Sequence, residues 1–94
     1  MDRSRTVHLR IEGRVQGVGY RAWLKATALA LGLTGWVRNR RDRSVETVLQ
    51  GPPEKISDML CRCKAGPPAA CVSRVEVLSE EGDVYDGFEV RTSA

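Results

Sequence analysis

Between Gly13 and Arg21 the chain reads Gly-Arg-Val-Gln-Gly-Val-Gly-Tyr-Arg, a run that joins an alternating apolar strand directly to a helical pattern. Three glycines in so short a run permit backbone conformations closed to residues with a Cβ, so consecutive N–H groups can turn toward one bound group. The helix beyond them adds unpaired N–H groups and the positive end of its dipole. Arg21 brings a guanidinium whose planar fork matches two oxygens of a phosphate. The run therefore predicts an anion cradle over Val15, Gln16, Gly17, Val18, Gly19, Tyr20 and Arg21. A plain strand-to-helix turn carrying a surface arginine is the competing reading of the loop taken alone. A Walker A loop would need a Gly-Lys-Ser/Thr end and a dinucleotide turn a third glycine after Gly19; with neither present, a nucleotide is not the expected ligand.

The 94 residues suffice for one domain over 1–94 with a single modest core. Val7, Leu9 and Ile11 alternate with His8, Arg10 and Glu12, a strand with one buried and one wet face. From Tyr20 the apolar spacing becomes helical through Leu24, Thr27, Ala28 and Leu31, and Gly32 stands where a C-terminal cap belongs. Residues 34–39 read as a second strand with Val37 and Asn39 on one face and Trp36 and Arg38 on the other. A turn at Arg41-Asp42-Arg43 leads to a third strand around Val45, Thr47 and Leu49. Pro52-Pro53 opens a second helix with Ile56, Met59, Leu60 and Cys63 as its stripe. Residues 71–79 form a fourth strand, with Val75 and Val77 expected inward, and a short strand around Gly87–Arg91 ends the order.

This order predicts an α+β fold of the ferredoxin-like βαββαβ type, a mainly antiparallel sheet with both helices on one face. The other face would carry His8, Arg10, Glu12, Arg38, Glu46, Arg74, Glu76 and Glu89, open to water and laced by weak charge pairs. In this topology the end of the second strand approaches the start of the first helix, so Asn39 projects toward the loop bearing Arg21. An amide there can orient a water without repelling it from a phosphorus atom. A turn-forming asparagine before a hairpin is the alternative.

The net charge of +3 is mild, but Arg38, Arg40, Arg41 and Arg43 cluster beside this candidate site and would attract small anions; Arg41 and Arg43 also read simply as a solvated hairpin tip. No apolar stretch approaches a membrane span, and residues 1–5 lack the apolar core of a signal peptide, which points to the cytoplasm. Three cysteines make no disulfide framework. Cys61 and Cys63 point to nearly opposite sides of one helix, so with Cys71 and His8 they do not suggest a metal site. RNA binding on the open sheet face would need stacking aromatics, of which only Trp36 is a candidate.

Taken together, GRVQGVGYR, LGLTGWVRN, VETVLQGP, GPPAACVSRVEV and GFEVR resemble the acylphosphatase family from about Val7 to Arg91. The resemblance implies a small enzyme that hydrolyses an acyl phosphate, its small-molecule partner, to a carboxylate and inorganic phosphate without metal or cofactor. It places the essential arginine on Arg21, the essential asparagine on Asn39 and the phosphate loop on Val15 to Tyr20. A monomer with no nucleic-acid or membrane partner is expected. Two departures stand out: the family often has Asp-Gly where this chain has Asp42-Arg43, and some members have threonine where Arg40 comes after the asparagine. None of the cysteines falls on a catalytic position of the family.

Overall fold

The structure, a computed structural model, describes residues 4–94; the reading of residues 1–3 lies outside them. In chain order the elements are β1 (Arg5–Arg14), α1 (Tyr20–Ala30), β2 (Thr34–Asn39), β3 (Val45–Gly51), α2 (Pro53–Ala65), β4 (Cys71–Ser79) and β5 (Phe88–Val90). They form one sheet in the order β4-β1-β3-β2-β5. β1 runs antiparallel to β3 and β4, β2 antiparallel to β3, and only β5 lies parallel to its neighbour β2.

The alternation in β1 sends Val7, Leu9 and Ile11 into one core with Val37, Val45 and Leu49 from the same sheet face. Tyr20, Leu24 and Ala28 of α1 meet them there, as do Ile56, Met59 and Cys63 of α2, so both helices cover one face. α1 lies over β2 and β5, and α2 over β4 and β1. Gly32 sits just past α1 as expected of a cap: its N–H bonds Leu29 O at 3.0 Å, and Leu33 N–H reaches Ala28 O at 2.9 Å, pulling Leu33 into the core. This two-bond ending lets the chain leave the helix sharply and enter β2 almost at once.

The far sheet face departs from expectation. Glu46 is 4 % exposed instead of open to water. It accepts from Arg38 Nε at 2.7 Å and meets His8 Nε2 at 2.5 Å. Trp36, expected outward, is 6 % exposed, because the Arg38 and Arg91 guanidiniums stand 5.0 Å and 4.7 Å from its ring centre and His8 tilts against it. Long cationic side chains folding over the indole cover it with their own apolar stems and gain from its π face. That removes the stacking platform an RNA reader would need. Val77 is a second correction: it shares a face with Leu9, yet lies 46 % exposed because β4 is an edge strand that α2 only partly covers. In β5, Phe88 is buried but Val90 is half exposed.

Candidate active site

β1 carries a register irregularity between Glu12 and Gly13, just before the chain leaves the sheet for the loop. Bulges of this kind bend a strand end and re-aim the residues beyond it. In the loop, Gly17 and Gly19 take φ 72° and 77°, left-handed values that cost a residue with a Cβ about 1–2 kcal/mol. Gly19 is the N-cap of α1, with no side-chain cap and no acidic residue in the first turn. The first intrahelical bond runs from Trp23 N–H to Gly19 O at 3.0 Å, so the N–H groups at the start of α1 remain available to an external acceptor.

These groups border a hollow of about 280 Å³ lined by Val15, Gln16, Gly17, Gly19, Tyr20, Arg21, Ala22, Asn39 and Val90. The fold thus brings Arg21 and Asn39 to one cavity across 18 residues of sequence, because β2 ends beside the start of α1. Val18 alone of the expected loop residues is not among the lining; it packs against the core. Tyr20 borders the hollow, but its ring is buried and its hydroxyl donates to Cys63 O at 2.7 Å. Burial raises the Tyr20 phenol far above its ordinary value, so the ring is an anchor and only its backbone is available for binding.

Arg21 makes no ion pair among the described residues, whereas Arg10, Arg38 and Arg40 are all engaged by Asp42 or Glu46. Asn39 Oδ1 is buried without a hydrogen-bond partner among the described residues. Leaving such an acceptor unpaired costs on the order of 1–3 kcal/mol, and a donor entering the hollow, such as a water molecule, would relieve it. The Asn39 backbone is fixed by Ala94 N–H, which donates to its carbonyl at 3.0 Å.

Three contributors were not anticipated. Ala22 and Val90 line the hollow; a helix first turn was a signal for the former, and nothing local marked the latter. The third is the side chain of Gln16, expected only as a backbone donor. Its Nε2 donates to Arg40 O and Ser44 O, both at 2.9 Å, tying the loop to the turn just beyond Asn39. That turn settles the Asp42-Arg43 departure: Arg43 itself adopts φ 75°, and Asp42 Oδ1 accepts from Ser44 N–H at 3.0 Å and from its hydroxyl. Those bonds, hydroxyl first, hold Asp42 below the usual carboxylate range.

No cysteine lines the hollow. Cys61 and Cys71 are exposed, and burial pushes the Cys63 thiol up to about 12. Among the described residues no three His, Cys, Asp or Glu side chains are grouped as metal ligands.

By architecture the chain is a ferredoxin-like α/β sandwich with a hollow between the first strand-to-helix loop and the end of β2. The acylphosphatase family model matches residues 7–90. An acylphosphatase from Thiobacillus denitrificans is 50% identical over 88 residues, covering 94% of this chain and 98% of its own. One from Rhodopseudomonas palustris is 60% identical over 76 residues, covering 81% of this chain and 77% of its own. The solved acylphosphatase from Coxiella burnetii superimposes with a TM-score of 0.83 at 37% identity, over 94% of this chain and 93% of that one. The chain belongs to the acylphosphatase family: it is an enzyme that hydrolyses acyl phosphates, releasing inorganic phosphate.

Proposed function

We propose that the hollow is where this hydrolysis occurs, with Arg21 and the N–H groups of residues 15–20 gripping the phosphoryl oxygens and Asn39 orienting the attacking water. The observation that carries this reading is the meeting of Arg21 and the buried, unpartnered Asn39 Oδ1 at one cavity beside an uncapped helix start. The water donates a hydrogen bond to Asn39 Oδ1 and transfers no proton to the protein. Its oxygen bonds to phosphorus as the bond from phosphorus to the acyl oxygen breaks; the electron pair leaves with the carboxylate, and the water protons pass to the phosphate and solvent. A carboxylate is a good leaving group, so positioning and charge stabilisation can carry the acceleration without a strong protein base.

The same reading makes residues 1–94 one catalytic unit, monomeric and cytoplasmic, that works with protein donors alone and takes no metal, cofactor or nucleic acid. No helix among the described residues is long and apolar enough to cross a membrane. The experiment that tests it is the loss of benzoyl phosphate absorbance with and without exhaustive chelation, in the presence of graded inorganic phosphate. Turnover that survives chelation and is inhibited competitively by phosphate is expected. Activity lost on chelation and restored by added metal would overturn the mechanism.

A further inference from the structure

A second hollow, of about 380 Å³, adjoins the first. It is lined by Gly13, Arg14, Val15, Gln16 and Arg43, sharing Val15 and Gln16 with the candidate active site. Two arginines therefore stand over a depression that continues from the cradle. Neither makes an ion pair or a side-chain hydrogen bond among the described residues, and both are exposed. Their neighbours differ: Arg10 and Arg40 face Asp42, and Arg38 and Arg40 face Glu46. Glu12 and Asp42 border a neighbouring hollow with Arg43, but Glu12 lies 3.9 Å from Arg10 and 4.0 Å from Arg74 and Asp42 pairs with Arg10 and Arg40, so both carboxylates face other cations and the charge of Arg14 and Arg43 is left for a ligand.

The backbone adds a second observation. Arg43 holds φ 75°, in a left-handed turn that glycine would occupy without strain. Arg43 thus holds its cationic side chain at this rim at the cost of a strained backbone.

We propose that Arg14 and Arg43 form a subsite for the acyl end of the substrate, selecting acyl phosphates whose organic part carries a second anionic group, a carboxylate or a phosphate. This inference rests on the phosphoryl group occupying the cradle, since the acyl end must then leave it by an adjoining surface. Guanidiniums suit either anion through paired N–H donors, and at an exposed rim their effect is modest and weakened by salt.

The test compares benzoyl phosphate with 3- and 4-carboxybenzoyl phosphate in the parent, Arg14→Gln, Arg43→Gly and the double variant. The expected result is a higher kcat/KM for one or both carboxylated substrates in the parent, a preference reduced about five- to tenfold in the double variant and shrinking with added salt. Benzoyl phosphate turnover and the Ki of inorganic phosphate should stay as in the parent. Arg43→Gly should also raise Tm, so lost selectivity cannot be a folding defect. Substrate ratios unchanged in the double variant, with all three substrates hydrolysed, would overturn this inference alone. A Ki for phosphate that rises in step with KM for all substrates would overturn it too, by placing the arginines on the phosphoryl group or on a separate free anion. Hydrolysis of none of the substrates by the parent would overturn the proposed site and this subsite with it.

Discussion

Gln16 Nε2 lies 2.9 Å from the carbonyl oxygen of Arg40, the residue next after Asn39. A second bond of the same length reaches Ser44 O, and Arg40 N–H in turn donates to Ser44 O at 2.9 Å. One side-chain amide therefore fixes the distance between the loop that carries the helix start and the strand end that carries the asparagine. Gln16→Met keeps the length and loses both donors. It should lower kcat while Kd for inorganic phosphate stays within about twofold, and in an Asn39→Ala background the same change should cost much less. A double-mutant cycle on kcat measures this coupling; additive losses would make Gln16 a stabiliser of the turn only.

Asn39→Ala should separate nucleophile from grip. The phosphate is held in both ground and transition state, whereas the amide acts on the water, so kcat should fall by at least about a hundredfold with little change in phosphate Kd. Single-turnover kinetics together with calorimetric phosphate binding check both halves. Loss of phosphate affinity as well would assign Asn39 to the cradle.

Arg21→Gln should remove tight phosphate binding and turnover together, since glutamine keeps polarity but loses charge and fork; such contacts contribute on the order of a few kcal/mol in a dry site. A phosphate titration that matches the parent would return Arg21 to the surface.

Thiol chemistry should separate the cysteines without touching catalysis. Iodoacetamide should label Cys61 and Cys71, which are exposed, and spare Cys63, which is buried with its thiol pushed up to about 12. Turnover of the doubly labelled protein should match the parent; a stoichiometric loss without unfolding would point to a covalent route.

Burial alone would raise the Glu46 carboxyl, but bonds from Arg38 and His8 outweigh it and hold the group below its ordinary 4.5. A depressed native pKa contributes stability that is full above the unfolded value and disappears as pH falls through the native one. The parent should therefore lose stability below about pH 4.5 partly through Glu46, and Glu46→Gln should be less stable at neutral pH with a flatter acid limb. Denaturant titrations from neutral to strongly acidic pH check this; parallel curves would remove Glu46 from the acid response.

The elements were legible where periodicity is strict. Val7, Leu9 and Ile11 announce β1, and the single split order of strands and helices leaves few topologies, so the neighbourhood of β1, β3 and β2 could be read from it. Asn39 and Arg21 could be brought together by that topology alone. Alternation cannot express the depth of cover: Trp36 and Glu46 lie on the predicted outer face, but Arg38 and Arg91 fold over the indole and Arg38 and His8 bond the carboxylate, and Val77 lies inward on a strand that too little covers. The Gln16 contacts span 24 and 28 residues and leave no local trace in the sequence.

The bond from the Tyr20 hydroxyl to Cys63 O ties the first residue of α1 to the last turn of α2. A loop fastened to the interior in this way has little freedom left to lose when an anion arrives. Calorimetry of phosphate association should accordingly show a small heat-capacity change and no large entropic penalty. Amide exchange should slow at the start of α1 and hardly at all elsewhere, the behaviour of a receptor whose shape precedes its ligand.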